Sequence, residues 1–462
     1  MSTVRVDHGQ WSSRLAFILA ATGAAVGLGN IWKFPYIMGE NGGGAFVIVY
    51  LLCIFAIGIP VMMAEVLIGR RGRQSPGNSV KALAIEAGAN TKWSIVGWVG
   101  LIAGFLILSF YSVIAGWAVS YIFQAGAGNF NGATPEEIGG IFDNLLADPV
   151  RLIGWTTFVL VVTGIIVGKG LKKGLEKAVS YAMPAMLVLL LIIAGYSAIN
   201  GDFAKTVHFM FDPDFSKLTY SGVLIALGHA FFTLSLASGA MMIYGAYLPQ
   251  QTSITQSVVM IAIADTLIAL IAGLAIYPIV FGNGLEASQG PGLVFVSLPI
   301  AFGQMWGGTL FGTLFFVMLG FAAFTSAISM VESAVAWLVE RAGLTRIKAA
   351  ALSIVILWFM SMLTVFSFTG AEWAKLGFVF VGKEVSNYFE LIDHLTADVL
   401  LPLGGLATAV FVAWVMKKEA AKEEIALSDG LFNLWYLTLK WFTPLAILFV
   451  FLNLIGIVNI GG

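Results

Sequence analysis

The chain has 462 residues, of which 59% are hydrophobic and only 11% are charged, and its mean hydropathy is +0.92. So little charge over this length excludes a soluble globular protein and is typical of a polytopic membrane protein. The net charge of −1 indicates no polyanionic partner such as nucleic acid, and the single Cys53 excludes a disulfide framework.

Apolar runs of about 17 residues or more predict eleven membrane spans. The N-terminal residues, MSTVRVDHGQWSSR, lack the features of a cleaved signal peptide, so the first span is expected to remain in the protein. The predicted spans are 13–38, 43–69, 94–124, 152–168, 178–199, 219–247, 254–281, 305–340, 348–368, 396–416 and 430–457.

The distribution of Lys and Arg predicts the orientation of these spans. If the N-terminus is cytoplasmic, eighteen of the 24 Lys and Arg residues fall in cytoplasmic segments and six fall outside. The positive-inside rule therefore favours a cytoplasmic N-terminus, and an odd number of spans leaves Gly462 outside.

The first span contains residues that a simple membrane anchor would avoid. Its segment ATGAAVGLGNIWKFPYIMGE, residues 21–40, carries four glycines, an asparagine, a lysine and a proline. Gly27 and Gly29 flank Leu28 at a depth where a broken helix would expose backbone N–H and C=O groups, which hydrocarbon does not tolerate without a partner. The segment is a candidate substrate or ion site, and a glycine-lined contact between helices is the competing interpretation.

The sixth span has a similar interruption. The segment HAFFTLSLASGA places Thr233, Ser235, Ser238 and Gly239 at its middle. A single hydroxyl residue in a membrane helix usually bonds to a carbonyl of the preceding turn, but matched interruptions in spans one and six indicate an inverted-repeat transporter. The expected fold is therefore an all-α membrane protein with a five-plus-five inverted repeat, broken helices 1 and 6, and an eleventh helix. The expected units are 1–199, 200–416, and a cytoplasmic linker plus span eleven at 417–462.

Two further features of the spans suggest ion binding. In span eight, Thr325 and Ser326 follow Ala322 by one turn, which makes an oxygen cluster suited to an alkali cation. Buried carboxylates occur in spans two, seven and eight, where each needs a partner, a proton or an ion; these are Glu65, Asp265 and Glu332. Hydrogen bonding to a broken helix is the competing role for Glu65 and Glu332.

Four segments together resemble the neurotransmitter:sodium symporter family, especially its bacterial eleven-span amino-acid transporters. They are GAAVGLGNIWKFPYIMGENGGGAF, FYSVIAGW, HAFFTLSLASGA and FTSAIS, on spans one and two, three, six and eight. The resemblance covers essentially the whole chain. It implies the inverted-repeat fold, alternating access and symport of a small substrate with two sodium ions.

The resemblance also implies two sodium sites. The second site would use backbone or hydroxyl oxygens of Gly23, Val26, Ala322, Thr325 and Ser326. The first would combine one oxygen of the substrate carboxylate with oxygens of Ala25, Asn30, Thr233 and Asp265. Family members commonly have asparagine on span seven, and Asp265 lies one residue from that column.

The implied substrate is a neutral L-amino acid. The N–H groups of Leu28 and Gly29 begin a half-helix, whose positive dipole end suits a carboxylate, with Tyr111 as a further donor. Monoamine-selective relatives carry aspartate at Gly27, and glycine leaves room for the substrate's own carboxylate. The freed carbonyls of Ala25 and Phe232 suit an ammonium group. Selectivity for an apolar or aromatic side chain would come from Ile107, Tyr111, Phe232, Ser235, Ser238, Ser326 and Met330.

The resemblance implies gates at both ends of the pathway. Lys33 would pair with Asp393 at the outer mouth once substrate binds, more loosely than the family's usual arginine would. On the inner side Trp11 would plug the pathway, with Arg5 or His8 pairing Glu340 and with Tyr247 nearby. His8 stands where the family usually has arginine.

Three alternatives compete with a chloride-independent sodium symporter. One is a proton-coupled transporter in which Asp265 or Glu332 carries the proton, and another is an amino-acid sensor or leak on the same fold. A membrane enzyme is disfavoured, because the histidines are scattered without metal spacing; His229 is expected to make a core hydrogen bond. We expect an inner, bacterial-type plasma membrane location, the lipid bilayer and an amino acid as partners, and a monomer as the working state.

Overall fold

The structure is a computed structural model that describes residues 9–285 and 292–454. Within these ranges, nine helices are long and apolar enough to cross a membrane. We name them with the shorter helices in chain order; the nine are α3 (Gly44–Gly72), α5 (Thr91–Gly126), α7 (Pro149–Gly168), α8 (Leu171–Asn200), α12 (Ile254–Gly282), α14 (Gly308–Ala342), α15 (Arg346–Phe368), α16 (Tyr388–Val415) and α18 (Asp429–Asn453).

The first predicted span is a broken helix. It consists of α1 (Arg14–Ala25) and α2 (Gly29–Glu40), which meet at an angle of 50°. Helix α1 begins where the Ser13 side chain accepts a hydrogen bond from the backbone N–H of Ala16, and it ends at Val26, whose ψ of 105° is extended. The predicted interruption at Gly27–Gly29 is therefore present as a break in the backbone.

The sixth predicted span is split into two short helices, α10 (Tyr220–Thr233) and α11 (Ala240–Ala246). Neither is long enough to cross a bilayer alone, so the predicted eleven crossings are reached only when this pair and the α1–α2 pair each count as one. The all-α broken-helix fold is confirmed. The boundaries 199/200 and 416/417 between its units stay a prediction.

Shorter elements connect the spans. The remaining helices are α4 (Pro76–Glu86), α6 (Pro135–Ala147), α9 (Phe203–Phe211), α13 (Leu293–Gln304) and α17 (Lys418–Ile425). Before α16, strands β1 (Lys375–Phe380) and β2 (Lys383–Asn387) form an antiparallel hairpin with Phe378 opposite Val385. Helix α16 begins at Tyr388, ahead of the predicted residue 396, so that Asp393 and His394 lie within the helix.

Helices α5 and α14 form the centre of the bundle, because 78% of the most apolar 18-residue stretch of each helix is buried. Helix α18 lies at the periphery, where only 22% of the corresponding stretch is buried. Two close approaches explain how α5 reaches the break between α10 and α11. A Cβ on Gly104 would lie 2.5 Å from the Ser238 carbonyl oxygen, and one on Gly100 would lie 2.9 Å from the Gly239 nitrogen. Only glycine at these positions lets the two backbones meet.

Candidate functional site

A cavity lies between the two helix breaks, α5, α14 and α16. Its space not occupied by protein atoms, counted together with its opening to solvent, is about 350 Å³. Its described lining contains no charged side chain and consists of Ala24, Ala25, Gly27, Gly29, Ile107, Tyr111, Phe232, Ser235, Ser238, Ser326, Met330 and Leu401.

Most residues predicted for the substrate site line this cavity. Leu28 and Thr233 lie behind its wall, whereas Ala24 and Leu401 line it without having been predicted. An apolar residue within an apolar span, such as Leu401, carries no sequence signal that would separate it from lipid-facing or core positions. Ala24 adjoins the interrupted segment and could have been included on that ground.

The cavity end at the first break presents hydroxyl and backbone N–H groups. The Leu28 N–H donates to the Tyr111 hydroxyl oxygen at 3.3 Å, and the Gly27 N–H donates to Asn30 Oδ1 at 3.2 Å. A Cβ on Gly27 would lie 2.5 Å from Ser326 Oγ and 2.9 Å from the Tyr111 hydroxyl. A side chain at residue 27 would therefore require the Ser326 or Tyr111 hydroxyl to shift, and the glycine leaves this wall uncharged.

The oxygens predicted for a second sodium site converge at the same break. Ser326 Oγ lies 3.4 Å from the Gly23 carbonyl oxygen and 3.5 Å from that of Val26. On α14, Thr325 Oγ1 lies 3.0 Å from the Ala322 carbonyl oxygen. A single hydroxyl proton cannot satisfy all the carbonyls around Ser326, so lone pairs remain directed at one point.

These separations fit a cation. Ca²⁺, whose radius is close to that of Na⁺, holds oxygen ligands at roughly 2.3–2.6 Å, and two such ligands at right angles are about 3.3–3.7 Å apart. The spacing from Ser326 Oγ to the carbonyls of Gly23 and Val26 falls in this range. The cluster carries no formal charge, which suits a monovalent ion better than a divalent one.

The side chains predicted for the first sodium site are also brought together. Asn30 Nδ2 donates to Asp265 Oδ1 at 2.8 Å, and the Thr233 hydroxyl donates to the same carboxylate at 3.1 Å. Asp265 is fully buried, and the described residues offer it no cationic side chain. A buried carboxylate hydrogen-bonded only by neutral groups fits a site that receives a cation.

The second break is held by hydrogen bonds from outside α10 and α11. Glu65 on α3 accepts from the Ala237 N–H at 2.6 Å, and Ser235 Oγ donates to the Ala24 carbonyl at 2.7 Å. The hydroxyl of Ser238 closes back on the Ser235 carbonyl at 2.6 Å. Glu65 therefore hydrogen-bonds to the broken helix through Oε1, whereas its Oε2 is buried without a partner in the described part of the chain.

The side of the bundle that carries Trp11, called the inner side below, is closed. Trp11 is buried; its indole N–H donates to the Tyr244 carbonyl at 3.0 Å, and its ring meets that of Tyr247 edge to face at 6.1 Å. Tyr247 donates to Glu332 at 2.5 Å, and Glu332 forms an ion pair with Arg346. This pairing was not predicted, because Arg346 begins α15 and nothing local marks its partner.

Glu340, predicted to pair with Arg5 or His8, accepts hydrogen bonds at the start of α4. Its carboxylate accepts from the Ser75 N–H at 2.6 Å and from Asn78 Nδ2 at 2.6 Å. Tyr247 donates to Glu332, which precedes Glu340 on α14, and the predicted pairing of Glu340 stays a prediction. Arg5 and His8, the predicted partners of Glu340, lie outside the described residues.

The opposite, outer side is open. A vestibule of about 1370 Å³ contains Lys33 and Asp393, and its floor is Phe232, which also lines the cavity. Lys33 Nζ lies 4.7 Å from the centre of the Phe232 ring, and within the described residues it forms no ion pair with Asp393. The predicted pairing of Lys33 with Asp393 after substrate binding stays a prediction.

The hydrogen bond predicted for His229 is wrong. Neither of its ring nitrogens has a partner within the described part of the chain, although the side chain is 97% buried. The ring stacks on Phe34 at 5.8 Å and approaches Tyr50 at 5.6 Å, at the edge of the vestibule. Aromatic packing, and not hydrogen bonding, explains its burial.

Comparison with known proteins agrees with this geometry. A family model described as the sodium:neurotransmitter symporter family matches residues 8–133 and 147–460. The uncharacterized sodium-dependent transporter YhdH of Bacillus subtilis is 36% identical over 97% of this chain and 98% of its own, and an uncharacterized sodium-dependent transporter of Haemophilus influenzae is 34% identical over 98% and 99%. The crystal structure of MhsT in complex with L-phenylalanine matches with a TM-score of 0.88 and 41% identity, over 96% of this chain and 99% of that one.

Proposed function

Because this chain belongs to the sodium:neurotransmitter symporter family and is a sodium-dependent membrane transporter, we propose that it imports a neutral apolar or aromatic L-amino acid. Import is coupled to two sodium ions, is independent of chloride and proceeds by alternating access. We further propose that the inner side is cytoplasmic and that the C-terminus lies outside, as the distribution of Lys and Arg favours.

The observation that carries the proposal is the uncharged cavity at the first break. With glycine at residue 27, the wall offers N–H and hydroxyl groups to a substrate carboxylate and no carboxylate to a free amine. A substrate with a charged side chain would be buried unpaired among Ile107, Phe232 and Met330. MhsT, a structural neighbour, is described in complex with L-phenylalanine, which is a neutral aromatic amino acid of the class proposed here.

Two sodium ions are supported by two separate oxygen clusters. The substrate carboxylate would complete the first, beside Ala25, Asn30, Thr233 and Asp265, whereas Gly23, Val26, Ala322, Thr325 and Ser326 would hold the second without the substrate. Sharing the carboxylate between the substrate site and the first ion site couples the two binding events, since each raises the affinity for the other.

Chloride independence is supported by Asp265. Two sodium ions and a zwitterion bring excess positive charge into a site of low dielectric constant, and a fixed carboxylate within a few ångströms offsets that cost. Asp265 is buried and contacts both Asn30 and Thr233. A mobile anion is then unnecessary.

The test is uptake by the full chain in proteoliposomes. An inward sodium gradient should concentrate labelled L-phenylalanine or L-leucine, and competition by all twenty amino acids should identify the preferred substrate. Equal uptake when potassium replaces sodium would overturn sodium coupling, and uptake driven by a proton gradient without sodium would establish the proton-coupled alternative. Preference for arginine or glutamate would overturn the substrate class, and saturable binding without accumulation would indicate a sensor.

A further inference from the structure

A second cavity lies at the inner side, away from the transport pathway. It encloses about 520 Å³ of space between α4, the start of α5 and the end of α14. Its polar lining comes from Asn78 and Lys81 on α4, Thr91, Lys92 and Ser94 on α5, and Arg341 on α14. Trp98 forms its apolar side and meets Trp337 edge to face at 5.0 Å.

The charge in this cavity is unbalanced. Within the described chain, Lys81, Lys92 and Arg341 each lack an ion pair, and no carboxylate lines the cavity. Arg341 Nε donates instead to Asn78 Oδ1 at 3.2 Å, which holds the guanidinium at the rim. Three cations thus face one small space without a compensating anion.

Two arginines on the inner side are neutralised by carboxylates. Arg71 bonds to Glu86 at 2.6 Å and to Glu423 at 3.0 Å, and these hydrogen bonds lower the pKa of Glu86. Arg70 is buried against Glu424 at 2.6 Å. Like charges gathered without such partners repel one another, and a bound anion would relieve that repulsion.

The position of the cavity indicates which kind of anion would bind in it. The apolar part of α5 begins directly after it, with Ile95 59% exposed, and Ile85 on the neighbouring helix is 60% exposed. Large exposed aliphatic side chains beside a cationic cavity are expected where a protein surface passes from acyl chains to headgroups. Trp98, an amphipathic side chain, suits the same depth.

We propose that this cavity binds the phosphate group of an anionic phospholipid. The ammonium groups of Lys81 and Lys92 supply charge, Arg341 supplies planar N–H donors, and the hydroxyls of Thr91 and Ser94 supply further hydrogen bonds. A bound headgroup would bridge α4, α5 and α14. Since α14 also carries Thr325 and Ser326, the bridge would favour one arrangement of the helix that holds the second ion cluster.

The experiment measures lipid binding to the purified full chain by native mass spectrometry, with short-chain phosphatidylglycerol, phosphatidylcholine and inorganic phosphate as separate probes. Phosphatidylglycerol should bind wild type at least tenfold more tightly than phosphatidylcholine. Each cation near a membrane surface contributes about fivefold in affinity, so the triple variant K81Q/K92Q/R341Q should lose most of this preference.

The matched control is K169Q/K172Q/K173Q, which removes three exposed inner-side lysines from the α7–α8 turn and should change the affinity less than twofold. If the triple variant does not fold, Lys92→Gln alone, at an exposed position, should still weaken phosphatidylglycerol binding about fivefold. If phosphatidylglycerol binds wild type and K81Q/K92Q/R341Q with equal affinity, this cavity is not the lipid site. If inorganic phosphate binds as tightly as phosphatidylglycerol, the proposal that the bound phosphate belongs to a membrane lipid is wrong.

Discussion

The two helix breaks that enclose the cavity differ in length and in backbone conformation. The first spans only Val26–Leu28 and bends the chain by 50°. The second spans Leu234–Gly239 and places three residues in the left-handed region, Ser235 at φ 51°, Ala237 at 54° and Gly239 at 78°. Non-glycine residues in that region each cost about 1–3 kcal/mol, so only the second break is strained.

The difference indicates separate tasks. The first break gives its carbonyl and N–H groups to ligands, and its shape is set by the hydroxyls that crowd Gly27. The second gives its backbone mainly to the protein, through Glu65 and Ser235. We infer that the first break determines which ligands bind. The second break has a strained backbone conformation, which its hydrogen bonds to the rest of the protein stabilise.

The sharpest test of the first break is Gly27→Ala. The added Cβ would lie 2.5 Å from Ser326 Oγ, so the hydroxyl or the backbone must move, and both the substrate end of the cavity and the second ion cluster change. We expect sodium-driven uptake to fall more than a hundredfold. Gly195→Ala is the control, since its Cβ would meet nothing within 4 Å. Near-normal uptake by Gly27→Ala would mean that the first break does not form the site.

The second break is tested at Glu65. Glu65→Ala leaves the buried Ala237 N–H without its acceptor, which costs about 1–3 kcal/mol, and should lower both the thermal unfolding midpoint and uptake, the latter about ten- to a hundredfold. Glu65→Gln keeps an acceptor oxygen and should recover most of both. The control Glu419→Ala, at an exposed position on α17, should change neither. If Gln proves as damaging as Ala, charge and not the hydrogen bond is what the break requires.

Asp265 connects the two breaks, because it binds Asn30 after the first and Thr233 at the start of the second. We predict that Asp265→Ser lowers uptake at least tenfold in chloride-free buffer and that added chloride restores part of it, since a mobile anion can occupy the vacated space. Wild type should ignore chloride. Wild-type uptake that collapses when gluconate replaces chloride would contradict this role and direct the next test to Glu332.

The sequence predicted both breaks because each combines glycines or hydroxyl residues within a span that should be uniformly apolar. The same reasoning predicted Gly23, Val26 and Ser326 as one cluster only through the family resemblance, since α1 and α14 are some 300 residues apart along the chain. The helix ends that a cap or a break defines were predictable to within a few residues.

What could not be predicted depends on long-range geometry. The strain at Ser235 and Ala237 has no sequence signal, because neither residue favours a left-handed conformation enough to reveal it. The pairing of Glu332 with Arg346 and Tyr247 depends on how α14 meets α15 and α11. Such pairings are determined by tertiary packing.

The smallest expected effect concerns Lys33, which continues the first break into the vestibule. Its ammonium group lies over Phe232 in this structure, so the predicted ion pair with Asp393 would have to form as the vestibule closes. Near water such a pair is worth about 1 kcal/mol or less, which corresponds to about fivefold or less in uptake. Exchanging the charges, Lys33→Asp with Asp393→Lys, should restore part of the activity that each alanine variant loses. The two side chains still attract each other when the charges are exchanged, and this attraction favours the closed state. If the losses of uptake in the two alanine variants are additive in the double variant, Lys33 and Asp393 do not interact. Lys33 would then act through its contact with the Phe232 ring, which lines both the vestibule and the cavity.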